Sequence, residues 1–188
     1  MRAYDLLRPT AVAIMERLDA YGVELDDQGV HVMMSPVNRH ELAISRLLRQ
    51  LLPQMGPETV AHSGTPEIDD PATGRLRRPD LVVLPEAALT RPGYLRPEDV
   101  EMVVEVVSAP NPENDYENKA ADYPAMGIPT YVIIDPRKST VAVLTDPGPT
   151  PEGTRYRTRR DHVFGDQISA GGYTIDSSAF LPYEDEDA

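Results

Sequence analysis

Two carboxylates and one lysine of this chain stand where they could support phosphodiester chemistry. Asp80 heads the apolar run 81–84, and Glu105 lies inside the apolar run 102–107. Short runs of β-branched and apolar residues predict buried strands. A buried carboxylate costs free energy unless it is paired or binds a metal. Two acids placed in this way, with Lys119 in the next segment, indicate a site for a divalent cation.

Hydrolysis of a phosphodiester defines what such a site must supply. Attack by water adds negative charge to the phosphoryl, attacking and leaving oxygens; Mg²⁺ neutralises that charge and lowers the pKa of bound water. Mg²⁺ prefers oxygen ligands and usually takes one or two carboxylates, with waters and phosphate completing its shell. Asp80 and Glu105, on adjacent predicted strands, could be these ligands. Lys119 could orient or deprotonate the attacking water, or stabilise the transition state as a fixed cation.

The spacing around Lys119 leaves a second interpretation open. Asp115 lies four residues before Lys119 and Tyr123 four residues after it, so the three share one face of a predicted helix. Packing of that helix on the sheet would aim Lys119 at the two carboxylates. An Asp–Lys pair at this spacing is also common on solvated helices, where it contributes about 0.2–0.5 kcal/mol. Spacing alone favours the surface pair.

The rest of the pattern predicts a mixed α/β domain with a central sheet. A helix is expected from Pro9 to about Tyr21, and a β-hairpin turns at 26–29. Asn38 is expected to cap a helix that ends near Leu52, with Glu41 at its N3 position as a capping-box glutamate. Strands are predicted at 59–62, 65–68, 79–84, 100–107, 130–134, 140–144 and 154–159, and a helix is predicted from Pro112 to Met126, before Gly127.

Length and composition fit an ordinary globular domain. The 188 residues, 40% of them hydrophobic and 26% charged, predict one domain over residues 1–183 and an acidic disordered tail over residues 184–188. The absence of cysteine excludes disulfides, thiolate catalysis and cysteine-ligated zinc. Charged residues interrupt the N-terminal segment, and no run is long enough to span a membrane, so we expect a cytoplasmic protein without a signal peptide.

The net charge of −13 opposes a partnership with nucleic acid, because non-specific affinity comes mainly from neutralised phosphates. Two basic clusters, 75–78 and 155–160, run against this charge. In a strand, Arg155, Arg157 and Arg159 would share one face. A solvated edge strand, whose charges discourage aggregation, is favoured over a phosphate-binding surface.

Several segments, taken in order, resemble one known family. They are Pro79-Asp80, the segment 104–108, the Asp115, Lys119 and Tyr123 series, the segment 127–136, and Met34-Ser35-Pro36 followed by His40. Together they resemble the Uma-type family of restriction endonucleases, which belongs to the PD-(D/E)XK nuclease-like superfamily. The resemblance covers roughly residues 20–181, and the order and spacing make it more specific than any single motif.

The resemblance implies a restriction-endonuclease-like core, a central mixed sheet flanked by helices, here with an N-terminal helix and β-hairpin. It implies metal ligation by Asp80 and Glu105, Mg²⁺ or Mn²⁺ as cofactor, and Lys119 as a catalytic lysine moved from the strand to the helix. It also implies that His40 faces the site, although a partly exposed polar role for His40 stays open. DNA would be the substrate, and a homodimer is expected. The family often has a tryptophan after the tyrosine of the segment 127–136; this chain has no tryptophan.

Two functions remain open from the sequence. The first is a metal-dependent endonuclease acting on DNA; the alternative is a non-catalytic binding or regulatory module that keeps the nuclease fold. The net charge favours the module, whereas the intact acidic and lysine set favours the enzyme. Residues of smaller weight are expected to be structural: Tyr123 in packing, Asp135 in a turn, and His31, His62 and His162 without a site role.

Overall fold

The computed structural model describes residues 3–17, 22–33, 36–64 and 66–184. Its helices are α1 (Ala3–Arg17), α2 (Asn38–Leu51), α3 (Glu86–Leu89) and α4 (Lys119–Ala125). Its strands are β1 (Gly22–Asp26), β2 (Gly29–Met33), β3 (Thr59–Ser63), β4 (Ile68–Asp70), β5 (Arg75–Arg77), β6 (Leu81–Pro85), β7 (Met102–Val106), β8 (Thr130–Asp135), β9 (Thr140–Thr150), β10 (Gly153–Val163), β11 (Gln167–Ala170) and β12 (Tyr173–Asp176).

A mixed sheet of six strands forms the centre of the fold, in the order β10-β9-β8-β7-β6-β3. The β7 and β8 strands are parallel, and the other neighbouring pairs are antiparallel. Apolar side chains alternate between its two faces. One face packs against α2 and the β11–β12 hairpin, and the other against α3 and α4. The predicted fold class, a central mixed sheet flanked by helices, is confirmed.

A second sheet, in the order β2-β1-β5-β4, carries the N-terminal hairpin. Tyr4 of α1, Leu25 of β1 and Leu76 of β5 form a small separate core beside it. The predicted hairpin is confirmed: β1 and β2 pair antiparallel, and the Asp26 carboxylate accepts hydrogen bonds from the backbone N–H groups of Gln28 and Gly29. This sheet brings β1 and β5 towards the end of the central sheet at which Asp80 and Glu105 lie.

The N-terminal helix begins earlier than the sequence predicted. It starts at Ala3 rather than Pro9, and Pro9 lies inside it; the predicted end, residues 18–21, falls outside the described residues. Tyr4 is buried, and both Tyr4 and Arg8 hydrogen-bond to the Asp69 carboxylate. These tertiary contacts hold the first two turns in place despite the cost of the proline.

The predicted cap of α2 is wrong. The N-cap is Val37, whose carbonyl accepts hydrogen bonds from the backbone N–H groups of His40 and Glu41, at 3.1 and 3.3 Å. Asn38 is therefore already helical, and no polar cap side chain stands opposite Glu41 to complete a capping box. The other end follows prediction to Leu51, after which a 3₁₀ turn, Leu52–Gln54, leaves Leu52 exposed.

A hairpin over β4 and β5 replaces the strand predicted at 65–68. Thr65 lies outside the described residues, and β4 begins only at Ile68. The carboxylate of Asp70 accepts hydrogen bonds from the Ala72 backbone N–H and the Thr73 hydroxyl, and Gly74 has φ of 76°. These turn interactions reverse the chain, so that the basic residues that follow form β5 and pair with β4.

The helix predicted from Pro112 contains an unpredicted π-helical segment, Asn114–Asn118, before α4. Residues 112 and 113 are helical, so the start is as expected. Single π turns recur at functional sites. This one immediately precedes Lys119.

Gly127 is expected to be intolerant of a side chain. It follows α4 with φ of 80°, a left-handed conformation that costs an alanine about 1–2 kcal/mol. Gly127→Ala should lower the free energy of unfolding by that amount in urea denaturation. Gly56→Ala is the matched control, because the φ of Gly56 is not positive and a Cβ there would meet no atom within 4 Å. Equal losses in both variants would contradict a conformational origin.

Candidate active site

Asp80 and Glu105 lie side by side at one end of the central sheet. The antiparallel register pairs Leu81 of β6 with Val104 of β7, so Asp80, one residue before Leu81, stands opposite Glu105, one residue after Val104. Oδ2 of Asp80 accepts a hydrogen bond from the Val106 backbone N–H at 2.7 Å. The structure therefore places the two carboxylates side by side as the sequence predicted, with Glu105 in β7 and Asp80 directly before β6, which begins two residues later than predicted.

Lys119 points at these carboxylates from the helix. Its Nζ lies 2.9 Å from Oε2 of Glu105 and 3.4 Å from Oδ1 of Asp115, and its side chain is 2% exposed. The alternative interpretation, a solvated surface pair of Asp115 and Lys119, is wrong because both residues are buried. Burial of the pair follows from the helix packing on β7, where the hydroxyl of Tyr123 also donates a hydrogen bond to Oε1 of Glu105.

Glu24 is a member of the site that sequence reasoning missed. It lies on β1, its Oε1 is 3.4 Å from Nζ of Lys119, and its side chain is 2% exposed. Its signal was present in Val23-Glu24-Leu25, an acid with apolar neighbours on both sides, which is the pattern that selected Glu105. Four carboxylates, those of Glu24, Asp80, Glu105 and Asp115, thus lie around Lys119.

Arg77 anchors Glu24 from the other side. The Arg77 guanidinium is 1% exposed and contacts the carboxylates of Glu24 at 3.1 Å, Asp26 at 2.8 Å and Asp122. Burial alone would lower the pKa of Arg77, but Glu24, Asp122 and Asp26 outweigh it and raise that pKa above its ordinary value. Arg75 also forms an ion pair with Asp122, at 2.6 Å.

His40 reaches the site from the first turn of α2. Its Nε2 lies 3.0 Å from Oδ2 of Asp80, and its side chain is 6% exposed. Nδ1 of His40 has no hydrogen-bond partner among the described residues, and Oε1 of Glu41 is 3.8 Å away from it. The alternative of a partly exposed polar residue is wrong, because His40 is buried against Asp80.

The four carboxylates differ in how well their surroundings stabilise the charged form. Burial raises the pKa of Glu105 well above its usual range, and Asp80, Asp115 and Glu24 raise it further against the effect of Lys119. Burial likewise raises the pKa of Asp115 to about 6, although Lys119 lowers it. Burial would also raise the pKa of Asp80. The hydrogen bond and charge of His40, the charge of Lys119 and the Val106 N–H outweigh burial, so the pKa of Asp80 is lowered.

Lys119 itself is held in its charged form. Burial lowers its pKa, but the charges of Glu105, Glu24, Asp115 and Asp80 outweigh burial and raise the pKa well above its ordinary value. Of the three roles open from the sequence, the geometry favours the fixed cation and hydrogen-bond donor.

These side chains line a cavity of about 380 Å³. The charged groups already described form one part of its lining. The rest is formed by the apolar residues Val32, Met33, Pro36, Val37, Ala109 and Pro110 and by the polar residues Ser108, Asn111, Asn114 and Tyr183. His31 also lines the cavity; its Nε2 lies 3.0 Å from Oδ1 of Asp26, and its partner across the hairpin is Glu24. His62 and His162 do not line the cavity. That none of these three histidines has a role in the site stays a prediction.

The two basic clusters differ in how far their arginines are exposed. In the cluster 75–78, Arg77 and Arg78 are buried, so this cluster is not a phosphate-binding surface. The cluster 155–160 lies on β10, the edge strand of the central sheet, as the favoured interpretation predicted. There Arg157 pairs with Asp146, and Arg159 with Asp161.

Two further expectations can be compared with the described residues. Asp135 ends β8 and accepts hydrogen bonds from the Arg137 backbone N–H and guanidinium, which confirms its turn role. In the part of the chain that the structure describes, no helix is long and apolar enough to cross a membrane. Within the same residues, no group of three or more His, Cys, Asp and Glu side chains is arranged to hold a metal unaided.

Comparison with known proteins agrees with the fold. A solved structure described as a "putative nuclease belonging to DUF820" from Anabaena variabilis ATCC 29413 superposes with a TM-score of 0.64. The two are 12% identical, and the alignment covers 91% of this chain and 96% of that one, which shows a shared fold. No curated protein matches the sequence.

The sequence also matches a family model over residues 13–173, most of the chain. The family is described as "Uma2: Putative restriction endonuclease", in agreement with the resemblance drawn from the motifs. The chain belongs to the Uma2 family.

Proposed function

We propose that this protein is a divalent-metal-dependent nuclease that hydrolyses phosphodiester bonds in DNA, at the cavity around Asp80, Glu105 and Lys119. One observation carries the proposal: four buried carboxylates surround a single buried lysine at the wall of an open cavity. A purely structural cluster would be expected to balance its charges internally. In this one the raised pKa values of Glu105 and Asp115 mean that the nearby cations do not fully compensate these two carboxylates in their charged forms, and family membership supports the same conclusion.

The donor set fits Mg²⁺ or Mn²⁺. Carboxylate oxygens are the ligands that these hard cations prefer, and Mg²⁺ needs only one or two of them when water and phosphate complete its shell. Mg²⁺ therefore does not require a group of three protein ligands, and none is present among the described side chains. Asp80 and Glu105 would hold the metal, which would supply a water of lowered pKa and neutralise charge on the phosphoryl oxygens.

The protein's own groups divide the remaining work. Lys119, held as a cation between Glu105, Asp115 and Glu24, would hydrogen-bond a non-bridging phosphate oxygen and stabilise the charge that develops there. Nδ1 of His40, unpartnered in the described residues, would exchange a hydrogen bond with water or phosphate while Nε2 stays on Asp80. Glu24 and Asp115 would position Lys119. The predicted homodimer remains part of the proposal.

Metal binding is expected to stabilise the wild type and not the ligand variants. At ten times its Kd, Mn²⁺ should add about 1.4 kcal/mol to the unfolding free energy, or about 3–6 °C in Tm for a chain of this size. Asp80→Asn and Glu105→Gln should each abolish the shift. Each variant is compared with itself with and without metal, so any change in its intrinsic stability cancels.

Two exposed carboxylates provide matched controls. Asp161→Asn and Glu58→Gln remove the same charges outside the cavity and should keep the full shift. A shift that survives in both Asp80→Asn and Glu105→Gln would place the metal elsewhere. No shift in the wild type at millimolar Mn²⁺ would count against the proposed function.

A further inference from the structure

We infer that the substrate is DNA with an unpaired nucleotide, which enters the cavity with its phosphate inward, and that an intact duplex is excluded. This inference rests on the proposed function and specifies its substrate class. It depends on the depth, size and lining of the cavity and on where the chain's arginines are engaged.

The reactive groups lie below the molecular surface. The side chains of Lys119 and Glu105 are each 2% exposed, and those of His40 and Asp80 are 6% and 10% exposed. A phosphate can reach them only by entering the cavity. The unpartnered Nδ1 of buried His40 shows that this inner end has hydrogen-bonding capacity that the described residues leave unused.

The cavity is too small for a duplex. A sphere of its volume, about 380 Å³, is about 9 Å across. The major groove of B-DNA alone is about 12 Å wide, and a duplex bends smoothly only over a persistence length of about 50 nm. A duplex is therefore too wide to enter the cavity, whereas Lys119 and Glu105 are buried in its wall. One nucleotide extruded from a strand can enter.

Apolar side chains line part of the cavity mouth, beside the polar residues Ser108 and Asn111. Val32 and Val37 are 48% and 40% exposed and line the cavity with Met33, Pro36 and Pro110. In enzymes that extrude a nucleotide, the unpaired base packs between aromatic or apolar side chains. A nucleotide with its phosphate at Lys119 would thus place its base against Val32 and Val37.

The charge distribution also disfavours a duplex. Duplex binding depends on many neutralised phosphates, and the chain carries a net charge of −13. Arg75 and Arg77 are engaged with Asp122, Arg157 with Asp146, and Arg159 with Asp161. Seating one phosphate at Lys119 and a metal requires no such row of cations.

Binding rather than cleavage tests this inference. Fluorescence anisotropy in Ca²⁺ would compare a labelled 12-nucleotide single strand with the same sequence as a blunt duplex. We expect the single strand to bind at least about 10-fold more tightly. Competition by circular single-stranded DNA would show that interior nucleotides enter, and competition by linear strands alone would show that ends do; either result supports the inference. Equal or tighter binding of the duplex, or no binding of the single strand, would overturn it.

A variant at the mouth tests the position of the base. Val32→Asp puts a negative charge beside the incoming strand and should weaken single-strand binding about 10-fold. Val163→Asp makes the same change at an exposed valine of β10 outside the cavity and should have no effect. Equal binding by Val32→Asp and wild type would overturn the inference. Its failure is distinguishable from failure of the proposed function, because the Mn²⁺ shift in Tm involves no DNA.

Discussion

Arg77→Met is expected to lower the free energy of unfolding by about 3–5 kcal/mol. The Arg77 guanidinium is fully buried and contacts three carboxylates, on β1 and on α4. Methionine keeps most of the aliphatic volume but leaves Glu24, Asp26 and Asp122 without their shared cation. Removal of one partner from a buried ion pair is costly because the remaining charges have no solvent to compensate them. Urea denaturation followed by circular dichroism at neutral pH measures the loss.

Arg157→Met is the matched control for this prediction. Arg157 forms an ion pair with Asp146 on the exposed edge of the sheet, where both side chains are 52% exposed. Its removal should leave the unfolding midpoint unchanged, because exposed pairs contribute little. A loss below about 1 kcal/mol in Arg77→Met would show that the buried network does not depend on this arginine.

Lys119→Met is expected to slow DNA cleavage by about 10²–10³-fold while leaving the Mn²⁺-induced rise in Tm in place. The variant removes the cation proposed to stabilise charge on the phosphate and keeps both proposed metal ligands. The chain has one other lysine, Lys138, which is exposed and lies over the ring of Tyr116. Lys138→Met should cleave at the wild-type rate and so controls for loss of a lysine charge.

The combination of readouts separates the possible roles of Lys119. Cleavage and the metal shift measured together, with circular dichroism to verify folding, distinguish a catalytic cation from a residue needed only for stability. Wild-type cleavage rates in folded Lys119→Met would contradict the role proposed here. Loss of both cleavage and the metal shift would instead make Lys119 a positioning residue for Glu105.

The central sheet and the two acids could be predicted from the sequence because the patterns that indicate them are local. Glu105 and Asp80 stand in or beside short apolar runs rich in valine, which favour buried strands, and the structure pairs those strands directly. Glu24 shows the same local signal in a shorter run. It could have been chosen by the criterion that selected Glu105.

What the sequence could not show depends on partners distant in the chain. Arg77 looked like part of an exposed basic cluster, because its partners Glu24 and Asp122 lie 53 and 45 residues away. The start of α1 depends in the same way on Asp69, more than sixty residues from Tyr4 and Arg8. Neither contact leaves a pattern in the neighbouring residues.

Cleavage of DNA in the presence of Mn²⁺ tests the central claim most directly. Circular single-stranded DNA and supercoiled plasmid would be incubated at low salt with wild type and with Asp80→Asn. Wild type is expected to linearise the single-stranded circle in Mn²⁺ and to lose that activity in EDTA. Asp80→Asn is expected to leave the circle intact. Equal cleavage by both proteins, or no cleavage of either DNA by the wild type, would contradict a metal-dependent nuclease site at Asp80, Glu105 and Lys119.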